Sequence, residues 1–477
     1  HTQCTAEFGN DYVCSVAGEC VSALTPECQE LHWPAGKPQD KVVFVGSLMS
    51  TKPPFDTLVV PLQNAVQLAV EDFNANTDLP GAVKIAWLGC DDGAKLETAS
   101  AALAHLSDTV GAPVVIGPIF SELVLALAEQ AKTSGTLMIT PTATAKTIST
   151  LEDDGLVWRT IPSDVYQASA LADRIPLLDP APTKVAMLYK QDAYGTLLHM
   201  DAYERLSMMN PGIEITNHGY PNPVGLTPQE ILQMFGIVVS QAWGGEGEHP
   251  DTIVLIGTTE VIDLILAFMN AWSAENPLPP LPRFITTHGG VAAFPDLIEK
   301  APGSMLKQTL MGITEGVSPI IFDADNFSKF NIRYKIRFND QDPITAASLS
   351  YDAAMVAMLA MAGVPADEPI TGPNIAAAIA KTVDKMGTAV SFGEVMGTEL
   401  TFIKKARNVL VTGGTVDLKG VSGELDFDLD VGEVRVDMLG WGIDPKEGMP
   451  DIGILDPKRR YILAPPPATD GMWVELP

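Results

Sequence analysis

From residue 41 onward, short apolar runs alternate with amphipathic stretches. Strand-like runs over 41–47, 83–88, 114–116 and 136–139 are separated by helical patterns over 62–76, 94–110 and 121–132. In the first of those helices Ala65, Leu68, Ala69 and Phe73 recur at three- and four-residue spacing, which gathers them on one face. This alternation predicts βαβ units in a doubly wound, mostly parallel sheet. After Trp158-Arg159-Thr160-Ile161-Pro162-Ser163-Asp164 it begins again, with strands over 184–189, 213–217, 252–256 and 283–287 and helices over 194–209, 228–241 and 260–272. Two series of similar construction predict two lobes.

The rest of the chain is not a third repeat. Helical patterns cover 326–338, 346–362 and 371–381, and 416–436 reads as strands joined by tight turns. The expected organisation is a Cys-rich segment over 1–40, a first lobe from 41–161 and 318–415, and a second lobe from 162–317 and 416–445. An extended tail over 446–477, with the run Pro465-Pro466-Pro467, completes it. The fold class is therefore α/β: two doubly wound lobes with parallel sheets.

Within the first series, Val114-Val115-Ile116-Gly117-Pro118-Ile119-Phe120-Ser121 is answered by Leu137-Met138-Ile139-Thr140-Pro141-Thr142-Ala143-Thr144. Each run is a short buried strand that stops at Gly or Pro and delivers hydroxyls and backbone N–H groups to one sheet edge. Such an edge suits a small anionic or zwitterionic molecule.

Charge narrows the partners. The chain of 477 residues holds 59 acidic against 30 basic residues, a formal net charge of -29. A surface that negative repels phosphate backbones, so no nucleic-acid partner is expected. The longest apolar stretches, over 262–272 and 353–364, are shorter than the ~20 residues of a membrane-spanning helix. The chain opens at His1 with no initiator Met and no charged-then-apolar leader, so a secretory signal, if one existed, has been removed, and export must be argued from other features.

Cysteine placement points to export. Cys4, Cys14, Cys20 and Cys28 crowd into a segment poor in apolar periodicity, where two disulfides would supply order. Zinc is the rival, but the spacings lack the tight pairs of structural zinc sites, and no metal is expected. Cys90, ending a buried strand, reads as an inert core thiol. The sequence has no G-x-S-x-G elbow, H-E-x-x-H, Walker A loop or strand-following G-x-G-x-x-G. Its seven histidines are scattered, so neither catalysis nor a cofactor is expected.

Several runs together resemble the type I periplasmic solute-binding proteins of ABC transporters, typified by the leucine/isoleucine/valine-binding proteins. They are Phe44-Val45-Gly46-Ser47, Ala69-Val70-Glu71-Asp72-Phe73-Asn74, the two cleft loops above, Gln191-Asp192-Ala193-Tyr194-Gly195, Ser350-Tyr351-Asp352-Ala353 and Gly420-Val421-Ser422-Gly423-Glu424-Leu425-Asp426-Phe427-Asp428. Their order and spacing span about 400 residues. The resemblance implies two lobes joined by a three-crossing hinge, with crossings near Ile161, over 314–317 and within 412–421. It implies a clamp that closes on a small polar or amphipathic metabolite, an amino acid or related carboxylate, and docks on an ABC permease in the membrane. A monomer in the periplasm or outside the cell is expected. Relatives are often lipid-anchored at a Cys near the mature N-terminus, and His1 is not that Cys.

The same resemblance assigns ligand contacts to Ser121 and to the loop Thr142, Ala143 and Thr144. Ser121 would meet a carboxylate at the positive end of a helix, where the alternative is a simple N-cap. Phe120 beside it could line the pocket or the core. Tyr194 would close an aromatic face over the ligand, and Thr258 would line the same region. Where relatives place an acid to pair with an ammonium, this chain has Thr286-Thr287-His288-Gly289-Gly290. A neutral His288 accepts one hydrogen bond, whereas a protonated one suits an anion. The loop Thr51-Lys52-Pro53-Pro54-Phe55-Asp56 lacks the usual small residues and would shape the mouth. Asp426, Asp428 and Asp430 alternate without the Gly spacing of a calcium loop. The second function kept in view is a sensory or regulatory exported receptor that signals to a protein partner, in keeping with the Cys-rich head.

Overall fold

Continuous β-branched and aliphatic runs make strands that are buried on both faces, and the computed structural model places them in two parallel-rich sheets. It describes residues 1–38, 40–245 and 247–476. The chain divides into two units, His1–Pro162 with Ile321–Arg435, and Ser163–Ile320 with Val436–Pro477.

In chain order, the first unit supplies strands β1 (Cys28–His32), β2 (Val42–Met49), β3 (Lys84–Asp91), β4 (Val114–Ile116), β5 (Leu137–Thr140) and β6 (Val157–Arg159). Its helices include α1 (Asp56–Asn76), α2 (Leu96–Ala104) and α3 (Ser121–Ser134). The second unit supplies β7 (Lys184–Gln191), β8 (Glu214–Pro221), β9 (Thr252–Ile256), β10 (Arg283–Thr286) and β11 (Thr314–Pro319). Helices α4 (Asp164–Arg174), α5 (Ala193–Met209), α6 (Pro228–Trp243) and α7 (Val261–Ser273) belong to it. On the chain's return, α8 (Ala347–Gly363), β12 (Phe427–Asp428) and β13 (Glu433–Val434) join the first unit. Strands β14 (Met438–Lys446), β15 (Met449–Leu463) and β16 (Gly471–Glu475) join the second.

Among the described residues the first sheet has the order β12-β13-β6-β5-β4-β2-β3-β1. Strands β2 to β6 run parallel, and β1 lies antiparallel on β3. Alternate residues face opposite layers. Phe44, Leu48, Ala86, Leu88, Val115 and Met138 pack toward α2 and α3. On the other side α1 packs with α8, which is buried along its whole length. The second sheet has the order β8-β7-β9-β10-β11-β14-β15-β16, with β7 to β11 parallel and β14 to β16 antiparallel.

Helix signals in the sequence account for the boundaries. Helix α3 stops at Gly135, which takes φ 68. Helix α6 opens on a capping box between Thr227 and Glu230.

Three expectations change. Residues 416–435 belong to the first unit, because the 427–434 hairpin pairs with β6 rather than with the second sheet. Residues 446–477 are not an extended tail. Apolar alternation there forms β15 and β16, and Tyr461 of β15, fully buried opposite Trp473 of β16, donates its hydroxyl to Asp173 at 2.5 Å.

The disulfides also differ. Cys4 pairs with Cys20 and Cys28 with Cys90, so Cys90 is no inert thiol, and Cys14 is the free cysteine. The antiparallel register of β1 on β3 puts Cys28 opposite Cys90, a nonlocal pairing with a sequence separation of 62. Cys14 lies across a short hairpin from Cys20, whose sulfur Cys4 has taken.

Candidate functional site

Open parallel sheets bind ligands beyond the carboxyl ends of their strands, at the point where strand order reverses. In the first unit that reversal lies between β2 and β4. The loop after β4 leaves through Gly117 at φ 111, where a Cβ would stand 2.1 Å from the Leu48 carbonyl oxygen of β2. Only glycine fits that approach.

Ser121 is buried at the start of α3, and its Oγ accepts a hydrogen bond from the Ala145 N–H at 3.1 Å. Thr142 donates to the Ile119 carbonyl at 2.9 Å, and Thr140 donates to Pro118 at 2.5 Å. The two loops that the sequence singled out are thus stitched together. The Thr144 hydroxyl is buried with no partner among the described residues.

Beneath the second loop lies Arg159, which is buried. It ion-pairs with Glu433 and donates to the carbonyls of Ala143 at 3.4 Å and Ala145 at 3.1 Å. The loop's backbone acceptors are therefore occupied from below. Phe120, half-buried, meets Phe55 of the 51–56 loop edge-on at 5.1 Å. An aromatic pair accordingly flanks the hydroxyl floor.

In the second unit the reversal lies between β7 and β9. Tyr194 opens the helix after β7, where Asp192 caps it by accepting from the Gly195 N–H at 2.7 Å. Tyr194 and Thr287 share a hydrogen bond of 2.7 Å. Burial and the nearby Asp164 push the Tyr194 phenol well above its ordinary range, so its hydroxyl keeps its proton. The His288 ring stands edge-on to Tyr194 at 5.1 Å, and its Nδ1 lies 2.9 Å from Gln167 Oε1. Burial pushes the His288 imidazole down to about 4, so it is neutral at ordinary pH.

Thr258 accepts from Lys190 Nζ at 3.1 Å, and its hydroxyl donates to Glu260 at 2.5 Å. Lys190 also pairs with Asp192 at 2.9 Å. Burial pushes the Glu260 carboxyl up, but Lys190 and the Thr258 bonds outweigh it and hold the group below its ordinary value.

Within each unit, then, the residues expected to bind meet at one strand-end edge: Ser121, Thr142, Ala143 and Thr144 in one, Tyr194, Thr258 and His288 in the other. Sequence reasoning passed over Gln167, Lys190, Asp192 and Glu260. A cavity of about 690 Å³ lies elsewhere in the first unit, against Trp33, Gln67 and Trp87. Convergent polar groups mark the strand-end edge. Among the described residues no group of three or more His, Cys, Asp or Glu could hold a metal ion, and no helix is long and apolar enough to cross a membrane.

A family model described as the receptor family ligand binding region matches residues 61–444. The chain belongs to that family. The structure of this receptor chain is similar to that of a leucine-binding protein, LivK, from Thermotoga maritima. That match has 18% identity and a TM-score of 0.62 and covers 88% of this chain and 98% of that one. A branched-chain amino acid transporter substrate-binding protein, LivJ, from Streptococcus pneumoniae, solved with isoleucine, matches at 16% identity. Its TM-score is 0.58 over 87% of this chain and 100% of that one. A solute-binding protein of an ABC transporter from Rhodopseudomonas palustris, in complex with 3,4-dihydroxybenzoic acid, matches at 15% identity. Its TM-score is 0.62 over 90% and 99% of the two chains. These likenesses show the type I periplasmic binding-protein fold. These relatives are binding proteins. A curated relative, the chemotactic signal transduction system substrate-binding protein BasB from Halobacterium salinarum, is 31% identical over 170 residues, which is 34% of this chain. The chain spans 40% of that relative's length.

Proposed function

We propose that this receptor captures a small polar or amphipathic solute, an amino acid or related carboxylate, outside the cytoplasm and delivers it to an ABC permease. The observation that carries the proposal is the pair of strand-end edges, each at a strand-order reversal and each lined by polar side chains, most of them held by hydrogen bonds. On this reading Ser121 and the 142–144 loop hold the solute's polar end through hydroxyl and backbone donors, while Tyr194, Thr258 and His288 supply the second set of contacts. The receptor acts as a monomer. A lipid anchor near the N-terminus is part of the proposal for localisation.

Thermal denaturation in the presence of amino acids, their amides and aromatic and aliphatic carboxylates tests the reading. A rise in Tm that is lost in both Ser121→Ala and His288→Phe is expected. No stabilisation by any of these solutes at millimolar concentration would sink it.

The likeness to a chemotactic binding protein favours a second reading, in which the loaded receptor signals to a membrane transducer. Permease and ATPase genes beside this one favour uptake; a transducer gene favours signalling.

A further inference from the structure

Gln167 of α4 sits with its two amide atoms in opposite company. Its Nε2 donates to the Val317 carbonyl of β11 at 2.6 Å, and its Oε1 faces His288 Nδ1 at 2.9 Å. Turning the amide over would bring two oxygens together at 2.6 Å, so the orientation is fixed by the backbone of β11. With an acceptor held against it, Nδ1 must carry the ring's proton. Nε2 is then a bare lone pair, and no hydrogen bond reaches it among the described residues.

Resting on the receptor reading above, we infer that Gln167 is a positioning residue that locks His288 in the Nδ1–H form. The second unit thereby selects a solute that presents an N–H or O–H donor, an amine, amide or hydroxyl, rather than a carboxylate.

Three observations support the lock. No carboxylate ion-pairs with His288 among the described residues, and burial alone keeps the imidazole neutral. Of the charged side chains at this edge, Lys190 is engaged with Asp192 and Thr258, and Glu260 with Thr258 and Tyr220. Finally, Tyr194 is fixed by Thr287 and packs edge-on against the His288 ring; a half-turn of the ring would keep that packing but set a carbon instead of Nδ1 against Gln167 Oε1, so the Gln167 bond holds the ring's orientation. A hydrogen-bond acceptor rejects a second acceptor brought against it, because both lone pairs lose their water and neither gains a partner.

The test is nitrogen NMR of the full chain labelled with ¹⁵N-histidine. Wild type should show His288 protonated at Nδ1 with Nε2 unprotonated, and Gln167→Leu should move the proton toward Nε2. The signals of the other six histidines report that the variant is folded. An Nε2–H tautomer in the wild type, or one that Gln167→Leu leaves unchanged, overturns the lock. Among the solutes that raise Tm, the tightest should carry an N–H or O–H donor and bind at least tenfold more weakly to His288→Phe. A tightest ligand with no donor overturns the selectivity. Failure of the receptor reading would appear differently, as the absence of any thermal shift with the tautomer result intact.

Discussion

The two strand-end edges solve one problem with opposite use of charge. In the first unit the edge itself is neutral, made of Ser121, Thr142, Ala143 and Thr144, and the ion pair of Arg159 with Glu433 is buried beneath it as a clasp. In the second unit the charges lie at the edge, where Lys190 pairs with Asp192 and donates to Thr258, which in turn donates to Glu260. The first edge is thus fixed by its foundation and the second by its own side chains. A charged residue at a binding edge is not for that reason a ligand contact. Glu260 is an acid at the second edge, yet its oxygens are already taken by Thr258 and Tyr220.

The largest effect should come from the clasp. Arg159→Ala leaves Glu433 buried and unpaired and frees the 143–145 carbonyls, which is expected to cost about 3–5 kcal/mol in urea unfolding. A loss below about 1 kcal/mol would mean that the first edge does not depend on its foundation.

Next comes Cys90→Ser, which unties β1 from β3. Removing a disulfide that spans 62 residues should cost about 2–4 kcal/mol, and a reductant should lower the wild-type Tm in the same direction.

Ser121→Ala removes the acceptor of the Ala145 N–H, at about 1 kcal/mol of stability. Loss of ligand binding by this variant at nearly unchanged Tm would sharpen the assignment of Ser121 to the ligand, whereas a large fall in Tm with binding retained would make it a structural stitch.

The smallest effect at neutral pH separates the units by titration. Asp352 is fully buried in α8, and burial pushes its carboxyl up to about 7, against the opposing bonds from Val421 and Ser422. Its folded value is raised above the ordinary 3.8, so its contribution is full below that pH and is lost as pH rises through about 7. His288 has the reverse sign. Its folded value is depressed from 6.5 to about 4, so its contribution is present above 6.5 and is lost as pH falls through about 4. Asp352→Asn should flatten the stability profile between pH 4 and 7, and His288→Phe should flatten it on the acid side. Identical profiles in both variants would break the distinction.

Much of this architecture was legible in the sequence. The run Val114 to Ile116 ending in Gly-Pro, and Leu137 to Thr140 ending at Pro141, announced strand ends bearing hydroxyls, because apolar periodicity and turn residues are local signals. The places of Tyr194, Thr258 and His288 just after strands were legible in the same way, while the ligand roles proposed for them come from the family resemblance. What was hidden was pairing at a distance. Arg159 and Glu433 are separated by 274 residues, and nothing in either neighbourhood marks the other. Cys90 looked like a core residue because its partner depends on the register of a strand from the head. Gln167 lies on a helix, where a glutamine ordinarily faces solvent, and only the fold shows its amide turned inward. The placement of 416–435 failed likewise, since a hairpin announces its turn but not the sheet it will join.

The N-terminal strand has one more consequence. Strand β3 is eight residues long and almost wholly buried, and without β1 it would present a row of open N–H and C=O groups to any passing chain. By lying antiparallel on that border and being bolted there through Cys28 and Cys90, the head serves as a stopper against strand-to-strand polymerisation.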